Sequence, residues 1–208
     1  MDRILFFDTE TSGLPASRNM PHADDRMPWV VQFAAVVCDA TRIYHSANLV
    51  VSANGRTIDL EAVATHGFDV ALCDEIGVNE PLIASVFVQL AASANMLVAH
   101  NIDFDLQMMK GVLHRSYGER AASFIEGLDH RRTLCTMRSS VNVCKIPPTD
   151  RMRAAGRFNF KSPRLEELYR FLFGEEMTDA HDAMADVLAT RKCYFALMER
   201  GLLETATV

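Results

Sequence analysis

No apolar run in the sequence approaches the roughly 20 residues that a membrane-spanning helix needs. The start, Met1 to Asp8, lacks the long apolar core and small-residue cleavage site of a signal peptide. Cysteine is scarce and scattered. Cys38, Cys73, Cys135, Cys144 and Cys193 are odd in number and form no C-x-x-C pair, which removes support for a zinc site or a redox motif. There is no G-x-S-x-G nucleophile elbow and no phosphate-binding P-loop. Internal repeats, low-complexity tracts and composition breaks are also missing. Hydrophobic residues at 49% and charged residues at 23% then exclude a disordered or fibrous chain. What remains is 208 residues, expected to form one globular domain over 1–208 with ordinary reduced thiols, soluble and cytoplasmic.

Net charge is −6, which at first argues against a nucleic-acid partner. Its distribution argues otherwise. Between His130 and Arg164 stand nine basic residues, Arg131, Arg132, Arg138, Lys145, Arg151, Arg153, Arg157, Lys161 and Arg164, against Asp150 alone. A segregated basic segment is the electrostatic footprint of phosphate contact; a merely solvated loop is the plainer alternative.

Residues 4–8 are an apolar run too short for a helix and read as a strand buried on both faces. Residues 12–28, punctuated by Gly13, Pro15, Pro21 and Pro28, read as a long loop. Trp29 to Cys38 and Ile43 to Ser52 are two further strands joined around Asp39 to Thr41. A helix is expected over Pro81 to Ala94 and a short strand over Met96 to Ala99. From Asn101 the pattern turns helical, with Asn101 as N-cap. A helix near 164–173 has Ser162 as candidate N-cap and Gly174 after its end, and a last helix runs from about Asp182 to Arg200. Thr133 to Met137 reads as an edge strand. Strands first, then strands alternating with helices, give an α/β fold with a mixed central sheet flanked by helices.

Three segments place acidic residues where a core would not want them. Asp8 and Glu10 are two apart at the end of an apolar strand, so both carboxylates project to the same side. Two such charges repel unless a cation neutralises them. Taken alone, the pair is equally well explained by a turn aspartate followed by a surface glutamate. In His100-Asn101-Ile102-Asp103-Phe104-Asp105 the two aspartates lie about 200° apart around a helix. Asp103 groups with Gln107, Lys110 and His114, whereas Asp105 falls within the apolar stripe of Ile102, Leu106 and Met109. A carboxylate on a buried stripe needs a cationic partner. Finally, Asp186 projects to the flank of Ala183, Thr190, Cys193 and Leu197, and His181 sits just before that helix. Arg191, in the apolar arc of the same helix, has no explanation at this level.

In order and separation these segments resemble the DEDDh exonucleases, the proofreading-exonuclease family with a ribonuclease H-like fold. Phe6-Phe7-Asp8-Thr9-Glu10-Thr11-Ser12-Gly13-Leu14 is similar to the first motif. His100 to Asp105 is similar to the second, and His181-Asp182-Ala183-Met184-Ala185-Asp186 to the third, H-x-A-x-x-D. The resemblance implies that Asp8, Glu10, Asp105 and Asp186 hold two divalent ions, Mg²⁺ or Mn²⁺, and that His181 is the general base. It implies a terminal-nucleotide pocket at Thr11, Gly13 and Leu14, with His66 of His66-Gly67-Phe68 beside it. His100 and Asn101 are then supports for the second motif. The implied activity is 3′→5′ hydrolysis of single-stranded DNA or RNA from a free 3′ end, releasing nucleoside 5′-monophosphates. The chain stops soon after its last helix, without the long tail by which replicative proofreading subunits hold a polymerase, so no polymerase partner is expected. Two other readings stay open: a non-catalytic binding module, whose mark would be a missing carboxylate, and a phosphatase of small nucleotides. The sequence leaves DNA versus RNA, pathway, oligomeric state and the role of the basic segment open.

Overall fold

The computed structural model describes residues 2–178 and 180–203; the expected domain limits of 1–208 extend beyond these. The chain opens with three strands, β1 (Ile4–Thr11), β2 (Val30–Cys38) and β3 (Ile43–Val50). Helices α1 (Leu60–His66), α2 (Val70–Ile76) and α3 (Glu80–Ser93) follow, then β4 (Met96–Ala99) and α4 (Ile102–Tyr117). A 3₁₀ turn (Gly118–Ala121) and α5 (Ala122–Asp129) lead to β5 (Thr133–Cys135). Three short helices come next, α6 (Thr136–Ser139), α7 (Val141–Cys144) and α8 (Asp150–Ala154), before α9 (Leu165–Phe173) and α10 (Ala183–Glu199).

The five strands form one mixed sheet in the order β3-β2-β1-β4-β5. The β3-β2-β1 side is antiparallel, with β2 and β3 joined by a short turn and β1 and β2 by the long loop, and β1-β4-β5 is parallel because helices carry each crossover. β1 and β2 are buried on both faces, which is why they read as continuous apolar runs rather than as alternating ones. The alternation inside β1 still decides the layers. Leu5 and Phe7 join the core beneath α3 and α4, built on Phe33, Phe87, Met108 and Leu113. Ile4 and Phe6 join the opposite core, beneath Ala183, Val187 and Tyr194 of α10. Asp8 and Glu10 continue this second side. This α/β, ribonuclease H-like architecture is the expected one.

Several local expectations need correction. β1 extends to Thr11, so Asp8 and Glu10 stand within the strand rather than at and beyond its end. Asn101 occupies the N-cap position of α4 in a left-handed conformation (φ 75°), but its side chain makes no capping bond. The N-cap of α9 is Arg164, not Ser162. Its amide donates to the Glu167 carboxylate at 2.7 Å, so the start is fixed from inside the helix. Arg191 now has an explanation: its Nε–H donates to the Cys38 sulfur at 3.2 Å and its guanidinium stacks over the Phe195 ring at 5.1 Å, a cation on an aromatic face. The sequence pattern marks none of helices α1, α2, α5, α6, α7 and α8, and β5 ends at Cys135, so Thr136 and Met137 of the expected edge strand open α6 instead.

Candidate active site

Three chain segments meet at the carboxyl end of β1. β1 supplies Asp8 and Glu10, the first turn of α4 supplies Asp105, and the approach to α10 with its first turn supplies His181 and Asp186. Two helices therefore begin at a group of carboxylates, and the positive ends of their dipoles partly offset the repulsion. Ligand-capable atoms of Glu10, His181 and Asp186 lie within 4.8 Å of one another. Asp8 and Asp105 stand outside that trio but within its field.

Asp105 is buried, and Asp103 is exposed and paired with Arg138, so the helical stripe separates the two as expected. One oxygen of Asp105 accepts from the Thr9 amide at 3.1 Å and from the Thr9 hydroxyl at 2.9 Å, locking α4 to β1. Burial pushes the Asp105 carboxyl up to about 8, opposed by the Thr9 bonds and reinforced by Glu10. Burial also drives Asp8 well above the usual carboxylate range, with Asp105, Asp186 and Glu10 adding repulsion. Glu10 rises to about 7 through burial and then the charges of Asp186 and Asp182. Asp186 rises to about 7 through burial, moderated by a backbone hydrogen bond from His181. Its Oδ1 is buried without any hydrogen-bond partner. A buried orphan acceptor among carboxylates that resist ionisation fits a bound cation, and a carboxylate set with one imidazole suits a hard divalent ion.

His181 adopts a left-handed backbone (φ 71°), rare for a residue with a Cβ, and its side chain is half exposed with Nε2 3.7 Å from a Glu166 oxygen. What holds this segment is a residue sequence reasoning missed. Gln32, on β2 opposite Glu10, is buried. Its Nε2 donates to Asp182 at 2.9 Å and to Asn48 at 3.0 Å, while its Oε1 accepts from the Ala183 amide at 3.0 Å. Asp182 in turn caps α10 by accepting from Met184 and Ala185. The start of this helix near Asp182 was legible from the pattern that follows it. The glutamine was not, because nothing local marks a partner 150 residues away. Gln32→Ala is expected to cost about 1–3 kcal/mol by leaving these buried groups unpaired, and to lower kcat more than it raises KM. Thermal melting and steady-state kinetics on one oligonucleotide check both; an unchanged melting temperature would show the dock to be dispensable.

Beside the carboxylates lies a cavity of about 430 Å³ lined by Glu10, Thr11, Gly13, Leu14, His66 and Phe104 among others. All four residues expected to hold a terminal nucleotide thus share one wall-to-wall space. Thr11 bonds the Gly13 carbonyl at 2.8 Å, and the exposed Asp59 carboxylate packs against Gly13, where an added Cβ would push it aside. His66 donates from Nε2 to the Thr11 carbonyl at 3.2 Å and accepts at Nδ1 from Phe68, with burial lowering its pKa; it is a neutral wall. Leu14 is 81% exposed at the rim. A second cavity, of about 350 Å³, opens on the other side of the carboxylates and is lined by Asp8, His181, Asp186, Glu166 and the Ser162–Leu165 strip. His100 holds that strip in place. Its Nε2 donates to the Pro163 carbonyl at 3.1 Å and its Nδ1 meets Thr136 at 3.0 Å, while burial lowers its pKa to about 4.

The basic window is less uniformly available than its charge implies. Arg131 donates to the Ala91 and Ala94 carbonyls, and Arg132, Arg138, Arg153 and Lys161 pair with Asp2, Asp103, Asp150 and Glu167. Lys145, Arg151, Arg157 and Arg164 have no side-chain partner among the described residues. Among these residues no helix is long and apolar enough to cross a membrane.

No curated protein matches the sequence. The chain resembles solved structures of Escherichia coli Exonuclease I. With a complex containing a dT13 oligonucleotide it shares 22% identity and a TM-score of 0.72, covering 96% of this chain and 42% of that one. With a zinc-bound complex of Exonuclease I and single-stranded DNA it shares 22% identity and a TM-score of 0.70, covering 96% and 41%. The chain thus spans less than half the length of these proteins, and at this identity the likeness speaks for the fold. The family model described as RNase_T, exonuclease, matches residues 5–194, from the first residues of β1 into the second half of α10. With all three acidic segments inside that span, the chain belongs to the RNase_T exonuclease family, DEDD-type 3′→5′ exonucleases of ribonuclease H-like fold.

Proposed function

We propose that the chain is a divalent-metal-dependent 3′→5′ exonuclease that hydrolyses phosphodiester bonds at the 3′ end of single-stranded DNA or RNA and releases nucleoside 5′-monophosphates. The observation that carries the reading is the orphaned Asp186 Oδ1 beside Glu10 and His181, in a cluster of carboxylates held above their usual pKa. Asp8, Glu10, Asp105 and Asp186 are the residues that would hold Mg²⁺ or Mn²⁺, two ions in all. Such ions, when bound, neutralise the carboxylates and stabilise the attacking and leaving oxygens of an in-line displacement.

The protein's own groups do the rest. The cavity of Thr11, Gly13, Leu14 and His66 takes the terminal nucleotide and leaves its 5′-phosphate facing Glu10. His181, half exposed at the border of the second cavity, accepts the proton of the attacking water. The tight Thr11–Gly13 turn brings backbone, not side chain, up to the sugar. Single-stranded DNA in the complexes of Exonuclease I supports the choice of a single strand.

The test is a matched set of 5′-labelled single- and double-stranded DNA and RNA, incubated with Mg²⁺, Mn²⁺ or EDTA. A ladder shortening one nucleotide at a time from the 3′ end, on single strands and only with metal, is the expected product. Binding of the strands without any metal-dependent shortening would sink the proposal.

A further inference from the structure

Among the described residues three phenylalanines are exposed and outside every aromatic pair, Phe158, Phe160 and Phe171, and two of them lie in one short stretch, Arg157-Phe158-Asn159-Phe160-Lys161. Phe158 is 74% exposed and Phe160 39% exposed. Rings left in water between cations have a use in single-strand binding: bases stack on the rings while guanidinium groups follow the phosphates. The stretch is not adrift. The Lys161 amide bonds the Ile146 carbonyl at 2.9 Å, its ammonium holds Glu167 at 2.5 Å, and the Arg157 amide bonds Met152 at 2.9 Å.

Its position supplies the direction. Lys161 runs straight into Ser162, Pro163 and Arg164, which line the cavity shared with Asp8, His181 and Asp186. Phe160 is two residues from Ser162, at most about 7 Å of chain. Of the basic window's cations, Lys145, Arg151, Arg157 and Arg164 have no carboxylate partner among the described residues, and three of these four stand within residues 151–164, whereas the window's earlier arginines are tied to their own fold. A strand whose 3′ nucleotide fills the Thr11–His66 cavity and which crosses the carboxylates enters the second cavity and passes this strip.

We infer that residues 151–164 form the landing surface for the substrate strand on the 5′ side of the reacting bond, with Phe158 and Phe160 stacking bases and Arg151 and Arg157 neutralising phosphates. This rests on the nuclease reading for what the strand does next, but its binding does not require turnover. Two exposed rings within a stretch flanked by cations suit a single strand, whose bases are open to stacking, better than a duplex, whose bases are stacked away.

Binding is measured by fluorescence anisotropy of a 5′-labelled oligothymidylate in EDTA, on the full chain and on two double variants, Phe158→Ala/Phe160→Ala and Arg151→Ala/Arg157→Ala. Hydrolysis of the p-nitrophenyl ester of thymidine 5′-monophosphate, too short to reach the strip, is followed with metal. The aromatic variant is expected to bind at least about tenfold more weakly, with its salt dependence unchanged. The arginine variant is expected to lose about 0.7 of the log–log salt slope for each phosphate contact removed. Both should retain the ester activity and the melting temperature of the parent. Parental affinity and salt slope in both folded variants would overturn the inference and assign the surface to a protein partner instead. If the variants bind weakly and the parent cleaves nothing, the landing surface stands and the nuclease reading falls.

Discussion

Asp186→Asn is expected to abolish metal-dependent hydrolysis while making the metal-free protein more stable. The substitution keeps the shape of the side chain and removes one charge from a cluster in which Asp8, Glu10, Asp105 and Asp186 all titrate above their usual range. Disturbing only the supports of a metal ligand typically costs 10–100-fold, so loss of a ligand itself should cost at least about 10³-fold in kcat/KM. Asp8→Ala should behave alike. In EDTA at pH 8 the variant should melt above the parent, because less repulsion is buried. The combination separates a cation site from a structural one. If Asp186 only supported the fold, its removal would lower the melting temperature and activity together. Gel-resolved products and thermal melts on the same samples give both readings, and a destabilised, partly active Asp186→Asn would sink the assignment.

The second large effect is a stabilisation by divalent cations that exists at high pH and fades at low pH. Glu10 moves from 4.5 to about 7, Asp186 from 3.8 to about 7, and Asp105 from 3.8 to about 8 on folding. Between the unfolded and folded values the native state binds more protons than the unfolded one, so stability falls as pH rises. For these groups the metal-free protein is therefore most stable below about pH 4 and progressively penalised up to pH 8. A cation replaces the missing protons. At a hundredfold excess over Kd it adds about 2.7 kcal/mol, roughly 5–10 °C for a chain of this size. At pH 5 protons compete for the same oxygens, and the gain should nearly vanish. Melting curves with and without Mn²⁺ at the two pH values read the difference directly. Equal gains at pH 5 and pH 8 would place the cation elsewhere on the surface.

Where sequence reading succeeded, the signal lay within one element. The apolar run of β1, the apolar stripe of α4 and the flank of α10 each report their own buried face, because strand and helix periods are local. Asp105 could be told from Asp103 on that ground alone, and burial in the structure agrees. The long loop of residues 12–28 was legible from its prolines and Gly13. The short helices α1 and α2 were not, because each is only two turns of mixed polarity lying on the surface, with too little apolar face to show a period. The positive window of residues 130–164 was legible as charge but not as availability. Its arginines differ only in what happens to sit across from them: Asp2, Asp103 and two helix-end carbonyls for some, solvent for others.

By itself, then, the sequence determined the identities and order of the acidic residues, the mixed α/β sheet that carries them, and the side of each element on which they lie. Those are properties of composition and local period. Only the tertiary structure decided that Thr9 engages Asp105, that Gln32 docks the start of α10, and that Asp186 is left with an unpaired buried oxygen beside Glu10 and His181. These contacts join residues about a hundred or more positions apart, and their geometry follows from how two helix ends converge on one strand. No local pattern encodes that convergence.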